Sequence, residues 1–372
     1  MTSGGRIRIL IADDSAVMRS LLRAVVTSDA GLEVAGTAAN GEAALGAIET
    51  LRPDLVLLDV EMPVMDGLAT LRRLRALGHR MPVIMCSSLT QRGAKVTIEA
   101  LAQGASDYVA KPAEQAGREA AMQTLTQDLI PKIQALTSRP QLALPCAARV
   151  PPLGLVPPFS PQPISSVPTA LVIGVSTGGP AALDILLPSL PANFPLPVLI
   201  VQHMPELFTK LFAERLNGRC SLQVCEAVEN EPARAGAIYI ARGNWHMEVR
   251  SGARIGLPPA LHLSQGRPEN HCRPAADVLF RSAAAVYGAG VLAVVLTGMG
   301  TDGMLGARFI REHGGSVLAQ DEASSAVWGM PGAVANAGLA HKVLPLNAIA
   351  TEIVRLASRA QTVARDLRES VA

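Results

Sequence analysis

Aromatic side chains are scarce. Phe, Trp and Tyr make up 3% of the 372 residues, too few for the stacking surfaces of a protein that holds nucleic-acid bases. Blocks of one charge are missing too: 33 basic and 31 acidic side chains leave a formal charge of +2, and no Lys/Arg run is dense enough to neutralise a row of phosphates. A dedicated nucleic-acid partner is therefore excluded. Cysteine is sparse, and Cys86, Cys146, Cys220, Cys225 and Cys272 contain no CxxC pair, which argues against structural zinc or a redox dithiol and for reduced thiols in a cytosol. Long apolar runs are absent, since stretches such as Val291 to Leu296 fall far short of the roughly 20 residues that span a bilayer. The N-terminal apolar stretch meets Asp13 and Asp14 before it could serve as a signal peptide. The expectation is a cytoplasmic protein with no direct membrane insertion.

What remains is a composition built to fold, 49% hydrophobic and 17% charged, over a length that exceeds one ordinary core. From Pro140 to Pro168, nine prolines accompany a single charged residue, Arg149, so an extended, polyproline-biased connector is predicted. It separates a first domain over 1–136 from a second over 169–372, with the linker over 137–168. In the first, apolar runs at Ile7 to Ala12, Leu32 to Gly36, Leu55 to Leu58, Val83 to Cys86 and Ser106 to Val109 alternate with helical patterns. Five β-α units of this kind imply a parallel sheet covered on both faces, with its site at the strands' carboxyl ends. Pro131 is expected to kink or split the last helix. The second domain resumes the same grammar at Ala170 to Ile173, Val198 to Val201, Ile238 to Ala241, Val291 to Leu296 and Ser316 to Ala319. Between Tyr239 and Leu263, short apolar runs broken by Gly and Pro read as an antiparallel excursion.

Asp13 and Asp14 close the first expected strand and Asp59 the third, so three carboxylates should gather at one edge of the first sheet. Clustered carboxylates repel unless a hard cation lies among them, which predicts a Mg²⁺ site. A phosphoryl group on Asp59, the reachable acceptor, would be shielded by that ion, by Lys111 and by the Ser87 hydroxyl. Any one of these aspartates alone could equally be a turn or cap former. With the string Asp59-Val-Glu-Met-Pro-Val-Met-Asp66-Gly67, however, the segment from about Arg6 to Ala135 resembles the receiver domains of response regulators. The resemblance implies a flavodoxin-like receiver with Asp59 as the phosphorylated residue. It also implies Mg²⁺ on Asp13, Asp14, Asp59 and the Glu61 backbone carbonyl, a switch of Ser87, Tyr108 and Lys111, and a histidine kinase as phosphodonor.

In the second half, Leu171 to Pro180 reads as strand, glycine turn and helix, with Pro180 suited to the first helical turn. It contains G-x-S-x-G, which exposes Ser176 beside the free N–H groups of a helix N-terminus; the same turn could instead bind phosphate or be purely structural. His203 and Asp302 each follow another expected strand. A serine nucleophile needs a neutral imidazole to take its proton and a carboxylate to fix the tautomer of that imidazole. Taken singly, His203 could be a satisfied interior histidine and Asp302 a helix N-cap. The chain order Ser, His, Asp departs from α/β-hydrolases, in which the acid precedes the histidine.

The segment from Thr169 to about Ala357 resembles the catalytic domain of the chemotaxis protein-glutamate methylesterases. The strings Gly-Val-Ser-Thr-Gly-Gly, Gln-His-Met-Pro and Gly-Met-Gly-Thr-Asp-Gly carry the likeness, with further support over 271–280 and 320–331. It implies Ser176 as nucleophile, His203 as base, Asp302 as acid, the Met299 and Thr177 backbone N–H groups as oxyanion donors, and no cofactor for the ester chemistry. It also implies that the receiver obstructs the cleft until Asp59 is phosphorylated. Ala275-Ala276 depart from the pattern, where a hydroxyl or larger side chain is expected. His79, His313 and His341 read as solvated surface residues, His246 and His271 as candidates to line the cleft, and Arg273 as a contact for an acidic substrate or an ordinary capping group.

The whole chain is thus expected to be α/β: a five-stranded parallel receiver plus a doubly wound methylesterase domain with an antiparallel excursion. The expected function is a phosphorylation-regulated serine hydrolase that demethylates glutamate methyl esters, and by the same chemistry deamidates glutamines, on methyl-accepting chemotaxis receptors. The alternative is a non-catalytic response regulator whose second half binds a protein partner.

Overall fold

The computed structural model describes residues 5–88, 90–112, 117–137, 164, 166–252 and 257–371, with side chains through Arg359. The chain divides into two compact units, 1–149 and 150–372. Most of the expected connector, 138–163 and 165, lies outside the described residues.

The first unit alternates strand and helix: β1 (Ile7–Ala12), α1 (Ala16–Thr27), β2 (Leu32–Ala38), α2 (Gly41–Leu51), β3 (Leu55–Asp59), α3 (Gly67–Ala76), β4 (Val83–Ser87), α4 (Gln91–Ala102), β5 (Asp107–Ala110) and α5 (Arg118–Thr137). The strands pair in parallel in the order β2-β1-β3-β4-β5. Every residue of β3 and β4 is buried, which is why these runs are continuously apolar rather than alternating. Ser15, Asn40, Asp66 and Thr90 each accept the backbone N–H three residues on, so that α1 to α4 start at fixed points just past the strands' carboxyl ends. Of the kink or split expected at Pro131, the split does not occur: α5 runs as one helix through Pro131. Its missing N–H removes one backbone bond, and burial of Leu125, Leu129, Ile130 and Ile133 against β1, β3 and α1 keeps both halves in one helix.

Gly67 opens α3 against β3, and a Cβ there would fall on the Asp59 carbonyl oxygen. Gly67→Ala is expected to destabilise the first unit by about 3 kcal/mol through backbone displacement, read as a lower urea midpoint of its unfolding transition.

In the second unit, β6 (Ala170–Val175), α6 (Gly179–Leu186), β7 (Val198–Gln202), α7 (Glu206–Asn217), β8 (Gln223–Glu226) and β9 (Ala237–Ile240) come first. The hairpin β10 (His246–Arg250) and β11 (Ala260–Ser264) follows, then α8 (Ala276–Tyr287), β12 (Val291–Val295), α9 (Met304–Glu312), β13 (Ser316–Gln320), α10 (Met330–Asn336), β14 (Lys342–Leu344) and α11 (Leu346–Val371). Seven strands pair in parallel in the order β14-β13-β12-β6-β7-β9-β8, and β10 pairs antiparallel with β11 as the excursion predicts. The edge strands β8 and β14 were not expected, because each is short and partly exposed and so lacks an apolar run. From β6 the chain builds outward through β7, then crosses to start β12 on the other side. The carboxyl end of β6 is thus the point where the winding reverses and a crevice opens. Among the described residues, no helix is long and apolar enough to cross a membrane.

Candidate functional sites

In the first unit the ligand oxygens of Asp13, Asp14 and Asp59 lie within 4.8 Å of one another; Asp13 and Asp59 are buried and Asp14 is exposed. Lys111 Nζ bridges the buried pair, 2.8 Å from Asp13 Oδ2 and 2.7 Å from Asp59 Oδ2. The Lys111 N–H donates to the Ser87 carbonyl at 2.7 Å, which fixes the residue following β5 beside the end of β4. Burial pushes the Asp59 carboxyl up to about 6 and Asp13 adds to the rise, while the bond and charge of Lys111 and the Glu61 N–H oppose it. Burial works against the Lys111 ammonium, but the two carboxylates outweigh it and hold its pKa above the ordinary 10.5.

This set of hard oxygens, two shielded and one open to solvent, fits a Mg²⁺ that keeps several waters. Asp13, Asp14 and Asp59 would hold it. Glu61 turns its side chain outward to Arg92 at 3.2 Å. The Ser87 hydroxyl is buried and donates to the Ser88 carbonyl at 3.2 Å. Tyr108 is buried, its carbonyl bonded at 2.7 Å to Lys132, whose ammonium also pairs with Asp128 at 2.9 Å. Sequence reasoning missed Lys132, since its place on α5 gives no sign that it turns inward to β5.

In the second unit three adjacent strand ends bring the expected triad together. Val175 on β6 pairs with Gln202 on β7, so the next residues, Ser176 and His203, leave the sheet side by side. The His203 N–H donates to the Val175 carbonyl at 3.2 Å, and Gln202 Nε2 to the Ser176 carbonyl at 3.0 Å. On the other flank the Ser176 N–H donates to the Thr297 carbonyl at 3.0 Å, just past β12. Gly298 permits that approach, because a Cβ there would stand 2.8 Å from Ser176 Cβ. The same loop continues through Met299 to Asp302, whose Oδ2 lies 2.7 Å from His203 Nε2.

Asp302 is almost fully buried and surrounded by donors. Oδ2 accepts the Ala276 N–H at 2.6 Å; Oδ1 accepts the Asp277 and Gly303 N–H groups and Asn270 Nδ2, each at 3.0 Å. The first two are the free N–H groups of α8, whose own Ala275 supplies no side-chain cap. Asp302 therefore caps α8 from another segment, which accounts for the tolerated Ala275-Ala276. Burial alone would raise the Asp302 pKa, but the His203 bond and charge and the two α8 N–H groups outweigh it and hold it below 3.8. For His203 burial works against the charged ring, yet the contacts with Asp302 and Cys272 raise its pKa above 6.5.

Among the described residues, the Ser176 hydroxyl forms no hydrogen bond to the ring. With Nε2 on Asp302, Nδ1 faces Cys272 Sγ at 3.5 Å. The resting site is an assembled His–Asp pair with the serine on the neighbouring strand end. Thr177 is buried and its carbonyl accepts from Thr297 Oγ1 at 2.9 Å.

Other expectations change. His341 is not a solvated surface residue: its ring lies against Arg311 and accepts the Val317 N–H at 3.0 Å, and burial with the neighbouring guanidinium pushes its pKa down to about 4. His79 is half-buried, whereas His313 is exposed and stacks on Phe309. His246 is buried and bonded to the Arg267 carbonyl at 3.0 Å, while His271 is exposed on a turn. Arg273 is a structural tie, donating to Asn244 Oδ1 and the Gln265 and Gly266 carbonyls. Cys86, Cys220, Cys225 and Cys272 are free thiols.

An acidic pocket at the end of one parallel sheet, and a Ser/His/Asp set at the switch point of another, define a response regulator with a hydrolase output domain. Residues 9–123 match the response regulator receiver domain, and residues 171–353 match CheB methylesterase. The chain is 51% identical to the protein-glutamate methylesterase/protein-glutamine glutaminase of Nocardioides sp., over 95% of this chain and 96% of the relative. It is 47% identical to the enzyme of that name from Trichodesmium erythraeum, over 94% of this chain and 99% of the relative. The crystal structure of the Thermotoga maritima CheB methylesterase catalytic domain is 41% identical, covering 51% of this chain and 98% of that one with a TM-score of 0.49. The chain belongs to the protein-glutamate methylesterase/protein-glutamine glutaminase family.

Proposed function

We propose that this protein is a cytoplasmic, phosphorylation-controlled serine esterase that hydrolyses glutamyl γ-methyl esters on methyl-accepting chemotaxis receptors and deamidates glutamines there. Residues 1–136 form the receiver, 137–168 the linker and 169–372 the catalytic domain. The observation that carries the reading is the 2.7 Å bond between His203 Nε2 and Asp302 Oδ2, with Ser176 leaving the adjacent strand in register. A neutral ring held on that carboxylate carries its proton on Nε2, which leaves Nδ1 to accept the Ser176 hydroxyl proton.

The Ser176 oxygen then attacks the γ-carbonyl carbon. The Met299 and Thr177 N–H groups stabilise the oxyanion, each contributing about 3 kcal/mol. His203 returns the proton to the departing methoxy oxygen, methanol leaves, and water activated by the same nitrogen releases the glutamate from the acyl-enzyme. With glutamine the leaving group is ammonia. A purely partner-binding domain would use Asp302 as the cap of α8 but would have no use for the imidazole held on its Oδ2 beside Ser176.

Asp59 accepts a phosphoryl group from a histidine kinase. Asp13, Asp14, Asp59 and the Glu61 carbonyl would hold a Mg²⁺, which would supply positive charge beside that group; Lys111 pairs with the phosphoryl oxygens, and Ser87 and Tyr108 respond to it. Methanol release from methylated receptor tests the activity. A small-molecule phosphodonor with Mg²⁺ is expected to raise the rate roughly tenfold, and neither Asp59→Asn nor the chelated wild type should respond. Equal rates throughout would remove the control.

A further inference from the structure

In the short segment between β11 and α8, sequence reasoning singled out His271 and Arg273 but gave no site role to Glu269, Asn270 or Cys272. Glu269 and Cys272 exchange two backbone bonds, from the Glu269 N–H to the Cys272 carbonyl at 3.0 Å and from the Cys272 N–H to the Glu269 carbonyl at 2.8 Å. Between them Asn270 (φ 51°) and His271 (φ 63°) are both left-handed, the backbone of a tight two-residue turn of the primed type. The turn is pinned at its base. The Glu269 carboxylate pairs with both terminal nitrogens of Arg281 on α8, at 2.7 and 2.6 Å, and the next residue, Arg273, is tied to Asn244, Gln265 and Gly266.

Two side chains of this turn reach the His–Asp pair from opposite ends. Asn270 Nδ2 donates to Asp302 Oδ1 at 3.0 Å and to Asp277 Oδ2 at 2.9 Å, bridging two buried carboxylates. Cys272 Sγ stands 3.5 Å from His203 Nδ1. We propose that Asn270 and Cys272 are positioning residues, and that the turn is a clamp setting the rotation of the Asp302 carboxylate and of the His203 ring. The proposal rests on the reading of His203 and Asp302 as the base pair of an esterase.

The chemistry suits the task at both ends. Asp302 uses Oδ2 on the imidazole, so a donor on Oδ1 fixes the carboxylate plane without competing for the ring. Asn270 also separates Asp302 from Asp277, whose other oxygen accepts the Gly306 N–H at 2.6 Å. Without the amide, two buried carboxylates would share that space with no donor between them. On the imidazole side a thiol is a weak hydrogen-bond donor. It holds the ring with Nδ1 facing the cleft and gives way when the stronger Ser176 hydroxyl approaches with substrate.

Asn270→Gly is the informative variant, because glycine keeps the left-handed backbone and removes only the amide. With the full-length protein and methylated receptor, Asn270→Gly is expected to lower kcat about 10- to 100-fold and Cys272→Ala about tenfold. KM should stay within about twofold. The unfolding midpoint should fall modestly in Asn270→Gly, which leaves two buried carboxylates short of a donor, and stay near wild type in Cys272→Ala. A kcat loss measured where each variant is fully folded is what a merely structural role for the turn would not produce. Wild-type kcat in either variant overturns the clamp, as does a loss seen only where the variant is partly unfolded. Turnover abolished by Cys272→Ala but retained by Ser176→Ala would instead make Cys272 the nucleophile and overturn its positioning role.

Nitrogen-15 spectra of the His203 ring separate this proposal from the functional reading. A single Nε2–H tautomer in the wild type that becomes a mixture in Asn270→Gly supports the clamp even if no methanol is released. One unchanged tautomer in both proteins overturns it even if the wild type is an active esterase.

Discussion

Replacing Ser176 with alanine is expected to lower kcat for methanol release roughly a million-fold while leaving the fold and receptor binding intact. That is the size of loss seen when a serine hydrolase keeps its oxyanion donors and base but has no nucleophile. Stability should hold because Ser176 serves the fold through its backbone alone. Its N–H donates to Thr297, and its carbonyl accepts from Gly179 and Gln202. The hydroxyl, bonded to nothing among the described residues, can be deleted without orphaning a partner. Stopped methanol release with an unchanged unfolding midpoint and unchanged co-sedimentation with receptor membranes is the expected set of results. A variant that still turns over at the wild-type rate places the nucleophile elsewhere.

How far the sequence reveals this site depends on what kind of signal each residue leaves. Ser176, His203, Asp13, Asp59 and Lys111 were legible because each ends or directly follows a parallel strand, and Asp302 because it lies in the loop after one; such strands are continuous apolar runs that stop where the chemistry begins. The edge strands β8 and β14 were not legible, since one exposed side removes the need for an apolar run. Pro131 is a strong local breaker, yet tertiary packing of its helix outweighs one missing bond.

Asn270 and Cys272 left no periodic signal. They sit on a turn, and their importance comes from contacts with residues about thirty and seventy positions away in sequence. The left-handed pair Asn270-His271 was the one available cue, because Asn favours that backbone region. Asp302 was legible as a carboxylate in the loop after a strand, but its capping of α8 was not, since the helix it caps lies earlier in the chain.

That double duty shapes what happens when Asp302 becomes an amide. Asp302→Asn is expected to lower kcat about 10⁴-fold, the loss seen when an aspartate that orients a catalytic histidine is made neutral. The carboxylate receives donors on both oxygens: Ala276 N–H and the His203 ring on Oδ2, and Asp277 N–H, Gly303 N–H and Asn270 on Oδ1. An amide has one acceptor oxygen, so whichever way it turns its NH₂ meets a donor. If the NH₂ faces His203, Nε2 becomes an acceptor, the ring proton moves to Nδ1, and the nitrogen that should receive the Ser176 proton is already occupied. If it faces the other way, the Asp277 and Gly303 N–H groups lose their acceptor and the α8 N-terminus loses its counter-charge.

Either orientation costs about 1–3 kcal/mol of stability, measurable as a lower urea midpoint for the second unit. The pH dependence follows from the same contacts. The Asp302 pKa is held below its unfolded value of 3.8, so its contribution is fully present above that pH and is lost as pH falls through the lower folded value. The stability gap between wild type and Asp302→Asn should therefore narrow in strong acid, and narrow again as pH rises above 6.5 through the raised pKa of His203, whose charged form Asp302 favours. Activity shifts in its own way. His203 must be neutral to act, and removing the carboxylate that favours its charged form lowers its pKa, so the acid limb of the residual kcat/KM profile moves to lower pH. A profile whose acid limb stays in place would show that Asp302 does not set the protonation of His203.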